Sequence, residues 1–157
     1  MAAPKFSRVS PGDPLPIEDP LAHRALDALM RAEASLTRRL AAELERAGVS
    51  ATGFAMLVLL RSAGGELDLR TLRRRLNLSK ATATEVLDTL EKRGFASRRR
   101  LEHDRRAVSV RLLEPGAALV THAFPAHASR VRLAFGALDE SEKRQLAELC
   151  RKLDRAA

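Results

Sequence analysis

The chain has 157 residues, 45% apolar and only 3% aromatic, with no Trp or Tyr, one Cys, and 28 Lys and Arg against 20 Asp and Glu. Such a length accommodates one domain with a real core plus an assembly element but not two large domains, and a core of Leu, Ala and Val favours helices. The longest unbroken apolar run, Phe54 to Leu60, falls far short of the ~20 residues that span a bilayer. With no signal-like N-terminus and a lone cysteine, a reducing cytoplasm is the expected compartment, and no membrane partner is expected.

Residues 1–17 hold Pro4, Pro11, Pro14 and Pro16 without periodicity, which predicts an extended or disordered tail. From residue 18 to 47, Leu26, Leu29, Met30, Leu36, Leu40 and Leu44 recur at spacings of three and four, as in a long amphipathic helix ended by Gly48. Ser50 caps a second helix with Phe54, Leu57, Val58 and Leu60 inward, stopped by Gly64 and Gly65. Asp68 caps a short third helix carrying Leu69, Leu72 and Leu76. Asn77 and Leu78 make a turn, and Ser79 caps a fourth helix running to Arg93. On that helix Ala83, Val86, Leu87 and Leu90 form one apolar stripe, while Lys80, Ala81, Thr82, Thr84, Glu85, Asp88 and Thr89 lie opposite.

Gly94 supplies a left-handed stop, after which residues 95–100 and 106–112 read as two strands around a polar tip. Pro115 and Gly116 open a further long helix, with a kink expected at Pro125 because proline cannot donate to the Thr121 carbonyl. Asp139 and Glu142 have capping-box spacing, and Leu146, Leu149, Cys150 and Leu153 line the last helix. The expected fold is mainly α (α+β): a winged helix-turn-helix core over 50–113 with a two-stranded wing. Helical arms over 18–49 and 114–157 flank it and are expected to pair with a second copy as a dimerisation region.

Charge singles out one part of this plan. Residues 66–111 hold 13 of the basic residues and 7 of the acidic ones, so under a third of the chain carries six of its eight net positive charges. A composition that was merely Arg-rich would spread the surplus; its concentration predicts a local electropositive surface facing a nucleic acid. Readers of RNA and single strands stack bases on aromatic side chains, and this window has only Phe95. Duplex DNA is the expected partner.

Taken in order, Val49-Ser50 before Phe54 and Leu57, Leu67 to Ser79, Thr82-Ala83-Thr84, Asp88 through Phe95, and Asp104-Arg105-Arg106-Ala107-Val108 resemble the MarR family of bacterial transcriptional regulators. The resemblance runs from about residue 20 to 155. It implies a homodimer with interlocked terminal helices, each winged helix reading half of a pseudo-palindromic operator. It also implies a repressor released by a small aromatic or anionic inducer or by cysteine oxidation, and a location at the bacterial nucleoid. Three features depart from the family pattern: Glu85 follows the Thr-x-Thr pair where Arg is frequent, Arg73 replaces a small Ala, and the sole cysteine is Cys150 rather than one near the N-terminal end.

Groove geometry then gives roles to particular residues. The exposed face of the fourth helix fits the major groove and the hairpin tip a neighbouring minor groove. Thr82, Thr84, Glu85 and Thr89 are candidates for base contact, Glu85 as an acceptor for a cytosine amino group. Ser79 and Lys80 are candidates for phosphate at the helix start, with Ser79 equally placed to be only a cap. Asp104 can orient Arg106 while Arg105 or Arg106 enters the minor groove, and Arg98 in the run to Arg100 adds phosphate attraction. His127 is a candidate ligand contact through the resemblance, against the plainer reading of a satisfied interface histidine. Cys150 on a Leu stripe reads as packing rather than redox sensing. No P-loop, GxSxG, HExxH, GxGxxG or Cys-x-x-Cys occurs, so no enzyme, cofactor or metal site is expected. A nonspecific architectural DNA-coating protein and a winged helix recruited to protein contacts remain as alternatives.

Overall fold

Side-chain caps set where most of the helices begin, and left-handed residues set where most of them stop. The computed structural model describes residues 17–101 and 104–156, with backbone alone at 42, 43, 46, 100, 101, 104–107 and 156. Helix α1, Pro20–Arg46, starts on Asp19, whose carboxylate accepts the Leu21 and Ala22 N–H groups at 3.0 and 2.9 Å. Pro20 occupies the first turn, where a missing N–H costs nothing. Ser50 caps α2 (Ala51–Ser62) through the Gly53 N–H, and Asp68 caps α3 (Leu69–Arg75) through that of Thr71. Ser79 caps α4 (Lys80–Lys92) through the Thr82 N–H at 3.0 Å. The turn between α3 and α4 closes on Asn77 at φ 49°, with the Leu78 N–H donating to the Arg73 carbonyl at 2.9 Å. Gly94 at φ 69° ends α4 in the same way, the Phe95 N–H reaching the Leu90 carbonyl and its own N–H that of Glu91.

Three strands complete the winged helix. β1 (Glu66–Asp68), β2 (Ala96–Leu101) and β3 (Asp104–Leu112) form an antiparallel sheet in the order β1-β3-β2. Leu67 of β1 and Arg98 of β2 both stand opposite Val110. The sheet therefore has one strand more than the expected pair. Three residues, two of them acidic, are too few to display the period-two alternation that identifies a strand in sequence. The β2–β3 register shifts between Arg100 and Leu101.

After Leu112, α5 spans Glu114–Ala134 and passes through Pro125 as one helix. The last helix, α6, spans Glu140–Ala156, and its capping box is closed reciprocally: Asp139 accepts the Glu142 N–H at 2.9 Å and Glu142 that of Asp139 at 2.8 Å.

The chain divides into two units after Ser35. In the first, the opening turns of α1 leave Leu21, Leu26, Leu29 and Met30 exposed. The second contains the core, a single cluster of Leu44, Val49, Phe54, Met56, Leu57, Leu60, Leu72, Leu87, Leu90, Ala96, Val110 and Val120. Each large side chain in it adds roughly 1.5–3 kcal/mol of transfer free energy. Met56 is fully buried although the α2 stripe read from sequence omits it. This helix contacts α4, β1, β3 and α5, and a helix packed against several elements need not show a single apolar stripe. On α6, Leu146, Leu149 and Leu153 stay exposed.

Candidate nucleic-acid interface

The start of α4 gathers three hydroxyl groups and a cation. Besides accepting the Thr82 N–H, Ser79 Oγ lies 2.8 Å from Thr82 Oγ1. One of those two hydroxyls must donate to the other, so the pair retains a single proton for an outside acceptor such as phosphate. Thr84 donates its hydroxyl back to the Lys80 carbonyl at 2.9 Å, and Thr89 donates to the Glu85 carbonyl at 3.1 Å. Each has thereby used its only proton and is left with two lone pairs and a methyl group. Such threonines can accept from the amino group of adenine or cytosine, or touch a thymine methyl, but cannot donate to guanine while so bonded. Lys80, Thr82, Thr84, Glu85 and Thr89 are all exposed, whereas Ala83, Leu87 and Leu90 on the other side are buried. The helix thus presents the expected residues together on one face.

Carboxylates in this region are mostly spent within the fold. Glu66 accepts the Ser109 hydroxyl at 2.6 Å and two Arg111 N–H groups at 3.1 Å. The Ser109 hydroxyl first, and then Arg111, hold its carboxyl below the usual range. Asp68 is held low by the Thr71 side chain first, with the Thr71 N–H next. Asp88 and Glu91 both face Arg98, at 2.6 and 3.1 Å from its Nη1. Glu85 differs, having no ion-pair partner among the described residues. Meanwhile Arg70, Arg74, Arg75, Lys80, Lys92 and Arg99 are exposed. These exposed side chains carry much of the basic surplus counted from sequence.

Arg98 occupies a different place from the exposed Arg99. Only 28% of its side chain is exposed, and Nη2 donates to the Thr84 carbonyl at 2.9 Å. Its charge serves the junction between β2 and α4. Asp88 and Glu91, which complete that junction, were not singled out from sequence for this role. Their spacing on α4, followed by an Arg just past a glycine stop, is the signal that could have found them.

In the wing, Glu102 and His103 lie outside the described residues, as do the side chains of Asp104, Arg105 and Arg106. The backbone pairs Leu101 with Asp104 at the end of the hairpin. The anticipated ion pair of Asp104 with Arg106 thus lies outside the described side chains.

Elsewhere, His127 on α5 packs edge-on against Phe54, with ring centroids 5.2 Å apart, and stands 6.5 Å from Phe124. Its Nδ1 is buried without a hydrogen-bond partner among the described residues. A groove of about 340 Å³ runs beside Phe124, lined also by Val58, Arg61, Ser62, Val120 and Thr121. No group of three or more metal-ligating side chains occurs among the described residues. Cys150 is exposed on α6 in the isolated chain, so the packing expected of it would require another surface.

The sequence model of the MarR family matches residues 49–108, from the α2 cap to the middle of β3. The uncharacterized HTH-type transcriptional regulator YkoM of Bacillus subtilis (strain 168) is 35% identical over 105 residues, covering 67% of this chain and 68% of that protein. The chain belongs to the MarR family. The transcriptional repressor MprA of Escherichia coli (strain K12) is 32% identical over 111 residues, covering 70% of this chain and 63% of that protein. In structure, Sco3205 of Streptomyces coelicolor, a MarR family transcriptional regulator solved in complex with DNA, superposes with a TM-score of 0.79. That match covers 85% of this chain and 86% of Sco3205 at 23% identity, and shows the shared fold. This MarR-family chain is a transcription regulator with a winged-helix DNA-binding fold. No helix among its described residues is long and apolar enough to cross a membrane.

Proposed function

We propose that this MarR-family regulator acts as a homodimer that reads a pseudo-palindromic duplex operator and represses transcription until a small aromatic or anionic molecule releases it. The observation that carries the DNA reading is the α4 face. There Thr84 and Thr89 are fixed as acceptors, and Lys80 with Ser79 stands at a helix N-terminus that favours phosphate. Thr82, Thr84, Glu85 and Thr89 address bases, while Asp104 orients Arg106 and Arg105 or Arg106 enters the minor groove. Exposed Leu146, Leu149 and Leu153 on α6 and Leu21, Leu26, Leu29 and Met30 on α1 supply apolar surface for a second copy. His127, with an unpartnered nitrogen beside two Phe rings, is the ligand-contact candidate. Repression accords with the name of the relative MprA.

Selection of bound duplexes from a random library, at near-physiological salt with competitor DNA, tests the reading. An inverted repeat with half-sites about 10 bp apart, or a small multiple, is expected of a dimer using two recognition helices. Tight binding without enrichment would make the chain an architectural DNA coat. Absence of duplex binding would point instead to a winged helix used for protein contacts. In the wing, Arg106→Ala should weaken operator binding by roughly 1–3 kcal/mol, as measured by titration at moderate salt. Unchanged affinity would remove Arg106 from the interface.

A further inference from the structure

We propose that Arg98 is the residue that sets the position of the wing relative to the recognition helix, and so allows one protomer to read adjacent major and minor grooves together. The inference rests on the DNA-binding reading above. Arg98 is the third residue of β2, in register with Val110 of the central strand. Its backbone N–H donates to Glu91 Oε1 at 2.6 Å. Its Nη1 lies between Asp88 Oδ1 at 2.6 Å and Glu91 Oε2 at 3.1 Å, and its Nη2 reaches the Thr84 carbonyl at 2.9 Å. Positions 84, 88 and 91 follow the i, i+4, i+7 pattern of a single helix stripe. One strand residue is therefore tied along two turns of α4, beside the apolar stripe that anchors the helix to the core.

The chemistry favours this tie over direct phosphate contact. Two carboxylates and a carbonyl surround one cation, an arrangement matched by the planar fork of arginine and not by a point-charge ammonium. Were Arg98 to swing out to a phosphate, it would abandon Asp88 and Glu91 on the helix that faces the polyanion. Two unneutralised charges would then repel the DNA that Arg98 had moved to bind. Asp88 and Glu91 remain 47% and 31% exposed, so the contribution of the pairs to global stability is small. Their value lies in geometry. The wing is a two-stranded extension beyond β1, and tying its first strand to α4 fixes the direction in which Arg105 and Arg106 leave the domain.

The two roles predict opposite signs for the same substitutions. Taking negative charge from a DNA-facing helix should by electrostatics alone strengthen binding to every duplex. If Arg98 is a tie, the double substitution Asp88→Asn with Glu91→Gln should instead weaken binding to the selected operator at least tenfold. Affinity for unrelated duplex should hold or rise. Hydroxyl-radical footprints of this variant should keep the protection centred on α4 and lose the flanking protection from the wing, with the midpoint of thermal unfolding within a few degrees of the parent. Arg98→Lys, which restores the charge without the fork, should recover only part of the operator affinity lost in Arg98→Ala.

Stronger operator binding by the carboxamide variant would overturn the proposal. So would equal losses on operator and unrelated DNA in Arg98→Ala with a salt slope reduced by about one, which would make Arg98 a phosphate contact. If the carboxamide variant fails to fold, the comparison of Arg98→Lys with Arg98→Ala decides by the same specificity ratio and footprint. Failure of the parent chain to bind any duplex would instead remove the DNA-binding reading, and the proposed role with it.

Discussion

Gly116 is the position at which the fold should be least forgiving of a methyl group. It is buried in the first turn of α5, and a β-carbon there would overlap the carbonyl oxygen of Phe95 and meet Leu112 Cδ1 at 3.0 Å. The obstruction is backbone, and that carbonyl is already fixed by the Leu113 N–H at 3.0 Å. Helix propensity alone predicts that Gly116→Ala stabilises α5 by about 1 kcal/mol. Against this, overpacking costs roughly 1–3 kcal/mol, and loosening the Leu113–Phe95 hydrogen bond costs about 1 kcal/mol more. The net loss is about 1–3 kcal/mol, a fall in Tm of roughly 3–10 °C for a domain of this size. Thermal and urea unfolding followed by circular dichroism would measure it, with an unchanged m-value marking a true stability effect. A variant as stable as the parent, or more so, would refute the claim that the approach of α5 to the Phe95 carbonyl requires glycine.

Three other outcomes are expected. Glu85→Gln should move the enriched base opposite that side chain from cytosine toward adenine, with discrimination of about 1–3 kcal/mol, and should strengthen unspecific binding; an unchanged selected motif would exclude Glu85 from base reading. Because the carboxyls of Glu66 and Asp68 are held below their ordinary values of 4.5 and 3.8, their stabilisation is present above those values and lost as pH falls through the lower folded ones. Tm should therefore drop below about pH 4.5, and less steeply in Glu66→Gln; an identical acid profile would show that Glu66 contributes nothing. Leu149→Asp with Leu153→Asp on α6 should yield a monomer in sedimentation and a lower operator affinity, whereas an intact dimer would place the interface elsewhere.

Local rules made much of the fold legible. Ser50, Asp68, Ser79 and the Asp139/Glu142 pair cap the helices at the expected places, since a cap is a contact between residues three apart that needs no knowledge of the rest of the chain. The α4 stripe was readable because only one side of that helix meets the core. β1 was not, because three residues become a strand only through their pairing with β3, more than forty positions away. Nor was the burial of Met56, which follows from the several elements packed against α2. In the candidate site, the threonine face and the exposed Glu85 were readable as helix geometry. The place of Arg98 was not, since three consecutive arginines look alike until the strand register decides which one turns toward Asp88 and Glu91.

A charge census gives the sum that sets the long-range field, while the fold decides which charges have a partner at short range. Glu66 is bonded to Ser109 and Arg111, Asp68 to the Thr71 N–H, and Asp88 and Glu91 to Arg98, each acid keeping its negative charge. The exposed Arg and Lys side chains keep their full attraction for a polyanion, at long range and without regard to sequence. Base reading makes a different demand, for groups that lose little freedom on contact. Thr84 and Thr89 meet it because each is β-branched and bonded back to its own helix, so that its rotamer is set before DNA arrives. On the proposed reading, long cations attract, short bonded side chains discriminate, and Asp88 and Glu91 hold the two groove-reading elements in place. It follows that converting an acid of α4 to its amide should do different things at different positions: changing base choice at 85, and disorganising the wing at 88 and 91.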